Sequence, residues 1–328
     1  MSVTPRGMSI QEAYKEYRNG NFKVNRRYQR KLVWTKDEKR ALIDSVLHGY
    51  PIPLILLAYT TQANGTKTFE ILDGMQRLNA IFTFIENDYD VSGRFFDVNQ
   101  LSRAKQLAEQ GKFTVATSED VLLSPQQCAN FLDYTLAVTE FPATDETAVN
   151  EVFGRINSYG RRLSDQEKRQ AGVISPFARL VIDVATELRG DVSQEFLDLS
   201  EMPEISVDVA GEAPEYGVKA GDTFWCKQGI LRRSQLRDSE DEQMIADLAI
   251  SVLENEPFAF SGSSLDHYYE QDHERFREIN QLLSTYGSTK LKNDLVGTLS
   301  VLRETLETVD PAWNAFRRIF TQMRAETR

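Results

Sequence analysis

The sequence has only two cysteines, Cys128 and Cys226, and three histidines, His48, His267 and His273, in 328 residues. Two distant cysteines make neither a disulfide framework nor a metal-binding spacing, so the expected setting is a reducing, cytoplasmic one. His267 and His273 stand in HYYEQDHERF, a spacing that matches no zinc or HNH-nuclease pattern, and the plain expectation is two surface histidines. No apolar run approaches the ~18 residues of a membrane span, and MSVTPRGMSIQEAY lacks the apolar stretch of a signal peptide. Positive charge is short as well: 38 Lys and Arg against 49 Asp and Glu leave a formal net charge of −11. Such a chain does not draw nucleic acid through its overall field. Any DNA contact has to come from a local basic patch, a partner or a bridging metal. The sequence also lacks a G-x-x-x-x-G-K phosphate loop, an H-E-x-x-H, a G-x-S-x-G and any internal repeat.

What is present is an alternation of short strand-like and helix-like runs in the N-terminal half. Ile10 to Arg18 reads as a helix and Phe22 to Val24 as a strand entering a loop that reaches Trp34. Thr35 and Glu38 have the spacing of a capping box, and Leu42, Ile43, Val46 and Leu47 share the face of the helix that follows. Gly49, Pro51 and Pro53 stop it, Leu54 to Tyr59 suits a buried strand, and Asn64-Gly65 signals a hairpin returning through Thr68 to Leu72. Helices are expected over Met75 to Glu86, near 101 to 110 and over Asp145 to Asn157, with a strand over Tyr134 to Val138. Ser164 and Glu167 repeat the capping-box spacing ahead of a helix carrying Phe177, Leu180, Val181, Val184 and Leu188. Residues 191–222 carry nine acidic side chains and one lysine, the composition of an exposed connection or a poorly packed insertion. Beyond them, Met244, Ile245, Leu248 and Val252 mark one helix, and Leu291 through Val309 a long one. The expected class is therefore α+β over residues 1–172 and mostly helical over 173–328.

Two stretches carry chemistry. TFEILDGMQRLNAIFTFIEN is a strand, a turn at Asp73-Gly74 and an immediate helix. A helix start offers unpaired N–H groups and partial positive charge to an anion, glycine permits close approach, and an arginine one turn in adds a fork of donors. Asp73 suits a magnesium ion or a sugar hydroxyl. The plainer alternative is that Asp73 and Gln76 cap the helix and Arg77 is a surface charge. The second stretch, KVNRRYQRKLVW, sets five basic residues between Lys23 and Lys31, with Tyr28 and Trp34 as flat faces. It reads either as a ligand loop or as a solvated basic loop pinned to the core by its aromatics. A basic loop after one strand and a helix start after another can converge on one anion.

The run NRRYQR, then Trp34, a helix, GYPIP, an apolar strand and ILDGMQRLNA resembles the N-terminal domain of GmrSD-type modification-dependent restriction proteins. That domain is similar in turn to the ParB/sulfiredoxin superfamily. VFGRINSYGRRLSDQEKRQAG resembles the family's phenylalanine–asparagine–glycine–leucine–serine segment, and the likeness covers roughly residues 9–172. The family's turn usually reads Asp-Gly-Gln-Gln-Arg, so Met75 replaces a glutamine. Sulfiredoxins have their reactive cysteine there and ParB proteins a glutamate that supports hydrolysis. Methionine supplies neither a thiolate nor acid–base chemistry.

The resemblance implies binding of a nucleoside triphosphate with Mg2+, and slow hydrolysis at most. Asp73 and Arg77 would be catalytic, Asp73 holding the metal. Tyr28, Gln29, Arg30, Gly74, Met75, Gln76, Asn157 and Gly160 would line the nucleotide, with Arg155 a lesser candidate, and Arg26 and Arg27 would meet DNA. The expected role is a nucleotide-dependent sensor or regulator in DNA restriction or phage defence, partnered by a separate nuclease, with copies of itself as a further candidate partner. A non-catalytic DNA- or protein-binding module and a metal-dependent DNA nickase are the other readings.

Overall fold

The computed structural model describes residues 3–26, 31–143, 149, 152, 164–170, 173, 175–191, 196–202, 204–206, 217–258 and 262–309. The chain divides into two compact units, Met1–Val149 with Glu195–Met202, and Asn150–Gln194 with Pro203–Arg328.

The first unit is built on a six-stranded mixed sheet. Its strands are β1 (Thr4–Ser9), β2 (Phe22–Asn25), β3 (Ile55–Thr61), β4 (Lys67–Asp73), β5 (Thr135–Pro142) and β6 (Phe196–Asp198), in the order β1-β5-β3-β4-β2-β6. The β3/β5 and β2/β4 pairs are parallel and the other three antiparallel. Helix α1 (Ile10–Arg18) starts from Ser9, whose hydroxyl accepts the Glu12 N–H at 3.1 Å. Helix α2 (Lys36–Leu47) has the expected capping box: Glu38 N–H donates to Thr35 Oγ1 at 3.2 Å and Thr35 N–H to Glu38 Oε2 at 2.9 Å. Such a cap stabilises a helix by about 1 kcal/mol. Helix α3 (Met75–Ile85) buries Leu78, Ile81, Phe82, Phe84 and Ile85, and Phe82 stacks on Tyr17 with ring centroids 4.4 Å apart. Helices α4 (Ser102–Glu109) and α5 (Pro125–Asp133) complete this unit, with Phe131 edge-on to Phe84 at 5.4 Å. Beside the core, the carboxylate of Glu140, 4% exposed, takes Arg6 at 2.5 Å and Lys67 at 3.1 Å, tying β1 and β4 to β5.

Strand directions gather a set of loops at one end of the sheet. Asp73 closes β4 opposite Leu56, near the start of β3, and Ile55 pairs with Val138 near the start of the parallel β5. The parallel β2 ends at Asn25, opposite Phe196 at the start of β6. The segment after β2, the Pro51–Leu54 segment before β3 and the Gly74 turn after β4 therefore share that end.

In the second unit the helices are α6 (Asp165–Gln170), α7 (Pro176–Arg189), α8 (Phe224–Lys227), α9 (Arg233–Arg237), α10 (Glu240–Glu254), α11 (Gly262–Asp266), α12 (Glu274–Tyr286) and α13 (Ser288–Val309). A short parallel pair, β7 (Glu204–Ser206) and β8 (Gly217–Lys219), accompanies them. Its core joins Phe177, Val181, Val184, Trp225, Ile245, Ile250, Tyr269, Ile279 and Leu291. The expected Ser164 capping box is present, with Glu167 N–H to Ser164 Oγ at 3.2 Å and Ser164 N–H to Glu167 Oε2 at 2.9 Å. Arg169 joins Asp266 at 2.6 Å and Gln243 at 3.2 Å, and Gln166 donates to Tyr269 Oη at 3.1 Å. These bonds lie within the second unit, which includes α6.

The acidic stretch after 190 differs from the expected exposed connection. Phe196–Asp198 is the sixth strand of the first sheet, and Leu197, Leu199, Met202, Ile205 and Ala220 are all buried. These five apolar side chains anchor the described parts of an acidic segment, and composition averaged over the window hides them. On α10 the expected face is also shifted. Ile245 is buried with Ala246, Ala249 and Ile250, whereas Leu248 and Val252 are 38% and 40% exposed. Small alanines allow close helix packing, and simple counting of large apolar residues overlooks them. Among the described residues, no helix is long and apolar enough to cross a membrane.

Candidate functional site

The turn between β4 and α3 rests on Gly74. Its φ is +99°, a left-handed conformation that side chains other than hydrogen rarely adopt. A Cβ there would also collide with Ile55 Cδ1 and come within 3.3 Å of Arg77 Nη2. The glycine is thus required by its own backbone and by the close approach of Ile55, not only by a ligand.

Asp73 and Gln76 do not form a capping box. Asp73 Oδ1 accepts the Gly74 N–H at 2.8 Å, and Asp73 Oδ2 accepts Arg77 Nη2 at 2.7 Å. Arg77 Nη2 donates as well to the carbonyl of Leu54 at 3.0 Å. The Arg77 side chain is 13% exposed and that of Asp73 is 44% exposed. Arg77 is therefore held inside the sheet end and is not a surface charge. Its Nε is buried with no hydrogen-bond partner.

Gln76 turns the other way. Its Oε1 accepts the N–H groups of Val33 at 3.1 Å and Trp34 at 3.3 Å, and its Nε2 donates to Lys31 O at 3.0 Å. Both ends of the amide are spent on the segment after β2. Gln76 shapes the site by holding that segment. Met75 is 7% exposed, so its side chain belongs to the core and a ligand at this turn would meet its backbone.

The basic stretch is less solvated than its composition implies. Lys23 pairs with Asp198, and Arg26 and Lys31 are 5% and 4% exposed. Arg26 as folded presents little surface to a duplex. Arg27, Tyr28, Gln29 and Arg30 lie outside the described residues, as do Arg155, Asn157 and Gly160 and most of the expected 145–157 helix. The structure thus brings together Asp73, Gly74, Gln76 and Arg77 of the expected set and adds the Leu54 carbonyl, which sequence reasoning missed. Its only signal was the pair of prolines at 51 and 53, which keep the segment before β3 out of the ladder and leave its carbonyls to other donors.

Asp73 is the carboxylate bonded at this turn among the described residues, and magnesium is commonly held by one or two carboxylates together with substrate phosphates. The donor set fits that mode. Among the described residues no group of three or more His, Cys, Asp or Glu converges as a metal site. His267 and His273, expected as surface histidines, stack face to face at 4.1 Å, and His273 Nδ1 accepts the Arg275 N–H at 3.1 Å as the cap of α12. His48 stacks on Tyr50 at 5.8 Å.

No curated protein and no solved structure matches the chain. Residues 10–174, just over half of it, match the model of the GmrSD restriction endonuclease N-terminal domain. The matched region holds strands β2 to β5 of the sheet, the Gly74 turn and the Ser164 capping box. The chain accordingly belongs to the GmrSD restriction endonuclease N-terminal domain family.

Proposed function

We propose that this protein is a nucleoside-triphosphate-binding sensor or regulatory component of a DNA restriction or phage-defence system. The family supports the pathway class. One observation supports the nucleotide: at the Gly74 turn a backbone N–H and the Arg77 guanidinium converge on the same carboxylate, at 2.8 and 2.7 Å. A backbone amide opening a helix and an arginine fork are the donors that phosphate recognition uses. Asp73 is the group available to hold Mg2+, whose chemistry there would be to neutralise phosphate charge. Arg77 would take a phosphate oxygen, and Gln76 would keep the Lys31–Trp34 segment beside it.

Hydrolysis is slow at most, because Met75 stands where an acid–base residue would be useful and is buried. DNA cleavage is assigned to a separate nuclease partner, as the family's place in restriction systems suggests. Calorimetric titration with ATP, CTP, GTP and UTP in excess magnesium tests the reading. Binding of at least one is expected, with loss of about 2–3 kcal/mol in Arg77→Ala, the worth of a charge-assisted bond. Binding of none, or an Arg77→Ala variant that binds like the parent, removes the proposal.

A further inference from the structure

Helix α13 outruns the core that it helps to build. Leu291, Leu295 and Leu299 are buried in the second unit. From Val301 to Thr305 every residue is exposed, Leu302 at 40%, and Leu306 returns only to partial cover. Backbone bonds alone hold so short a stretch of helix weakly in water, so an apolar line along it calls for a partner.

That line has the spacing of a coiled-coil seam. Leu295, Leu299, Leu302, Leu306 and Val309 stand alternately four and three residues apart, and the sequence keeps the alternation through Trp313, Phe316, Phe320 and Met323. An alternation sustained over several heptads and flanked by charge is the pattern of a helix packed along another of the same repeat. Pro311, which favours a break in a helix, falls on the outer line of the repeat and takes no seam position. The charges choose the orientation. Arg303, Asp310, Arg317 and Arg324 flank the seam on one side, and Thr298, Thr305, Ala312 and Ile319 flank it on the other. A parallel pair sets each charged residue against an uncharged one, whereas an antiparallel pair sets a mostly basic line against itself. We propose that the end of α13 is the pairing surface of a homodimer, in which two copies of this chain lay the Leu299–Leu302–Leu306 line side by side and parallel. The dimer stands independently of the nucleotide reading.

Sedimentation equilibrium of the full chain, without nucleotide, tests this. The parent is expected to be a dimer at micromolar concentration. Leu302→Glu sets two carboxylates against each other in the seam and is expected to weaken association at least about a hundredfold. Because Leu302 is exposed within one copy, the variant is expected to keep the parent's circular dichroism. Thr308→Glu adds the same charge at an exposed position off the seam and is expected to stay dimeric. In a parallel pair residue 302 meets its own copy, so Leu302→Cys is expected to give a disulfide-linked dimer in air. A parent that sediments as a monomer throughout the micromolar range overturns the proposal. So does a dimer that Leu302→Glu leaves intact, and a dimeric Leu302→Cys protein that forms no such link overturns the parallel arrangement.

Discussion

Gln76 accepts the backbone N–H of Val33 at 3.1 Å, bonding the first turn of α3 to the segment that follows β2. The same amide reaches Trp34 N and Lys31 O. Three backbone groups of an irregular segment are thereby satisfied by one side chain, which a loop leaving the end of a sheet needs if it is to be partly buried.

Gln76→Leu is expected to cost about 2–4 kcal/mol, from three bonds at about 1 kcal/mol each plus backbone groups left unsatisfied. Gln76→Glu is expected to cost less, because its carboxylate still accepts from Val33 and Trp34 while losing the donation to Lys31. Urea unfolding gives the energies, and hydrogen exchange at the Val33 and Trp34 amides locates the effect. Unchanged exchange at both amides in Gln76→Leu would contradict the assignment.

Gly74→Ala is expected to destabilise the first unit by about 2 kcal/mol, combining a left-handed φ of +99° with the collision at Ile55 Cδ1. Pairing it with Ile55→Val, which deletes the colliding methyl, is expected to recover part of that loss and not the backbone part. Additive costs in a double-mutant cycle would show that the two residues do not meet in this way.

Glu86 supplies a pH prediction. Burial pushes its carboxyl up, against the opposing pull of the paired Arg18 guanidinium, from 4.5 to about 7. The folded chain therefore binds more protons than the unfolded chain between those values, and stability falls as pH rises through that window. Each tenfold change in proton affinity between the two states corresponds to about 1.4 kcal/mol. Glu86→Gln is expected to flatten that portion of the stability profile, measured by denaturation from about pH 4 to about pH 8, which brackets the window. A profile that keeps its slope in the variant would clear Glu86 of responsibility.

In the second unit, Arg189 meets Asp191 at 3.3 Å, Asp241 at 2.9 Å and Glu242 at 3.2 Å, with all four side chains 0% exposed. Burial disfavours its charge, but the three carboxylates outweigh that and hold the guanidinium protonated. Arg189→Met removes the cation they share at a place water does not reach, and is expected to cost about 3–5 kcal/mol. A melting temperature unchanged in this variant would show that the cluster is dispensable.

Much of this architecture is legible from local signals. The helix starts at Thr35 and Ser164 follow from a hydroxyl and a carboxylate three residues apart, because capping is a contact within one turn. The strand, turn and helix around Gly74 follow from an apolar run broken by Asp-Gly. The strand at Phe196–Asp198 escapes a local reading because its pairing is nonlocal: it finds its hydrogen bonds along β2, far away in sequence. The buried face of α10 escapes it for a related reason, since neighbours decide which side of a helix is covered.

By itself the sequence determined the periodicities, caps and turn residues, and with them the family, since each depends on residues close together along the chain. Only the tertiary structure decided that Arg77 lies bonded to Asp73 and Leu54 O instead of pointing to solvent, that Gln76 holds a loop instead of capping a helix, and that Ile55 fills the space beside Gly74. Those outcomes depend on which strands become neighbours, and strand pairing is a balance of burial and hydrogen bonding over the whole sheet that no short stretch encodes.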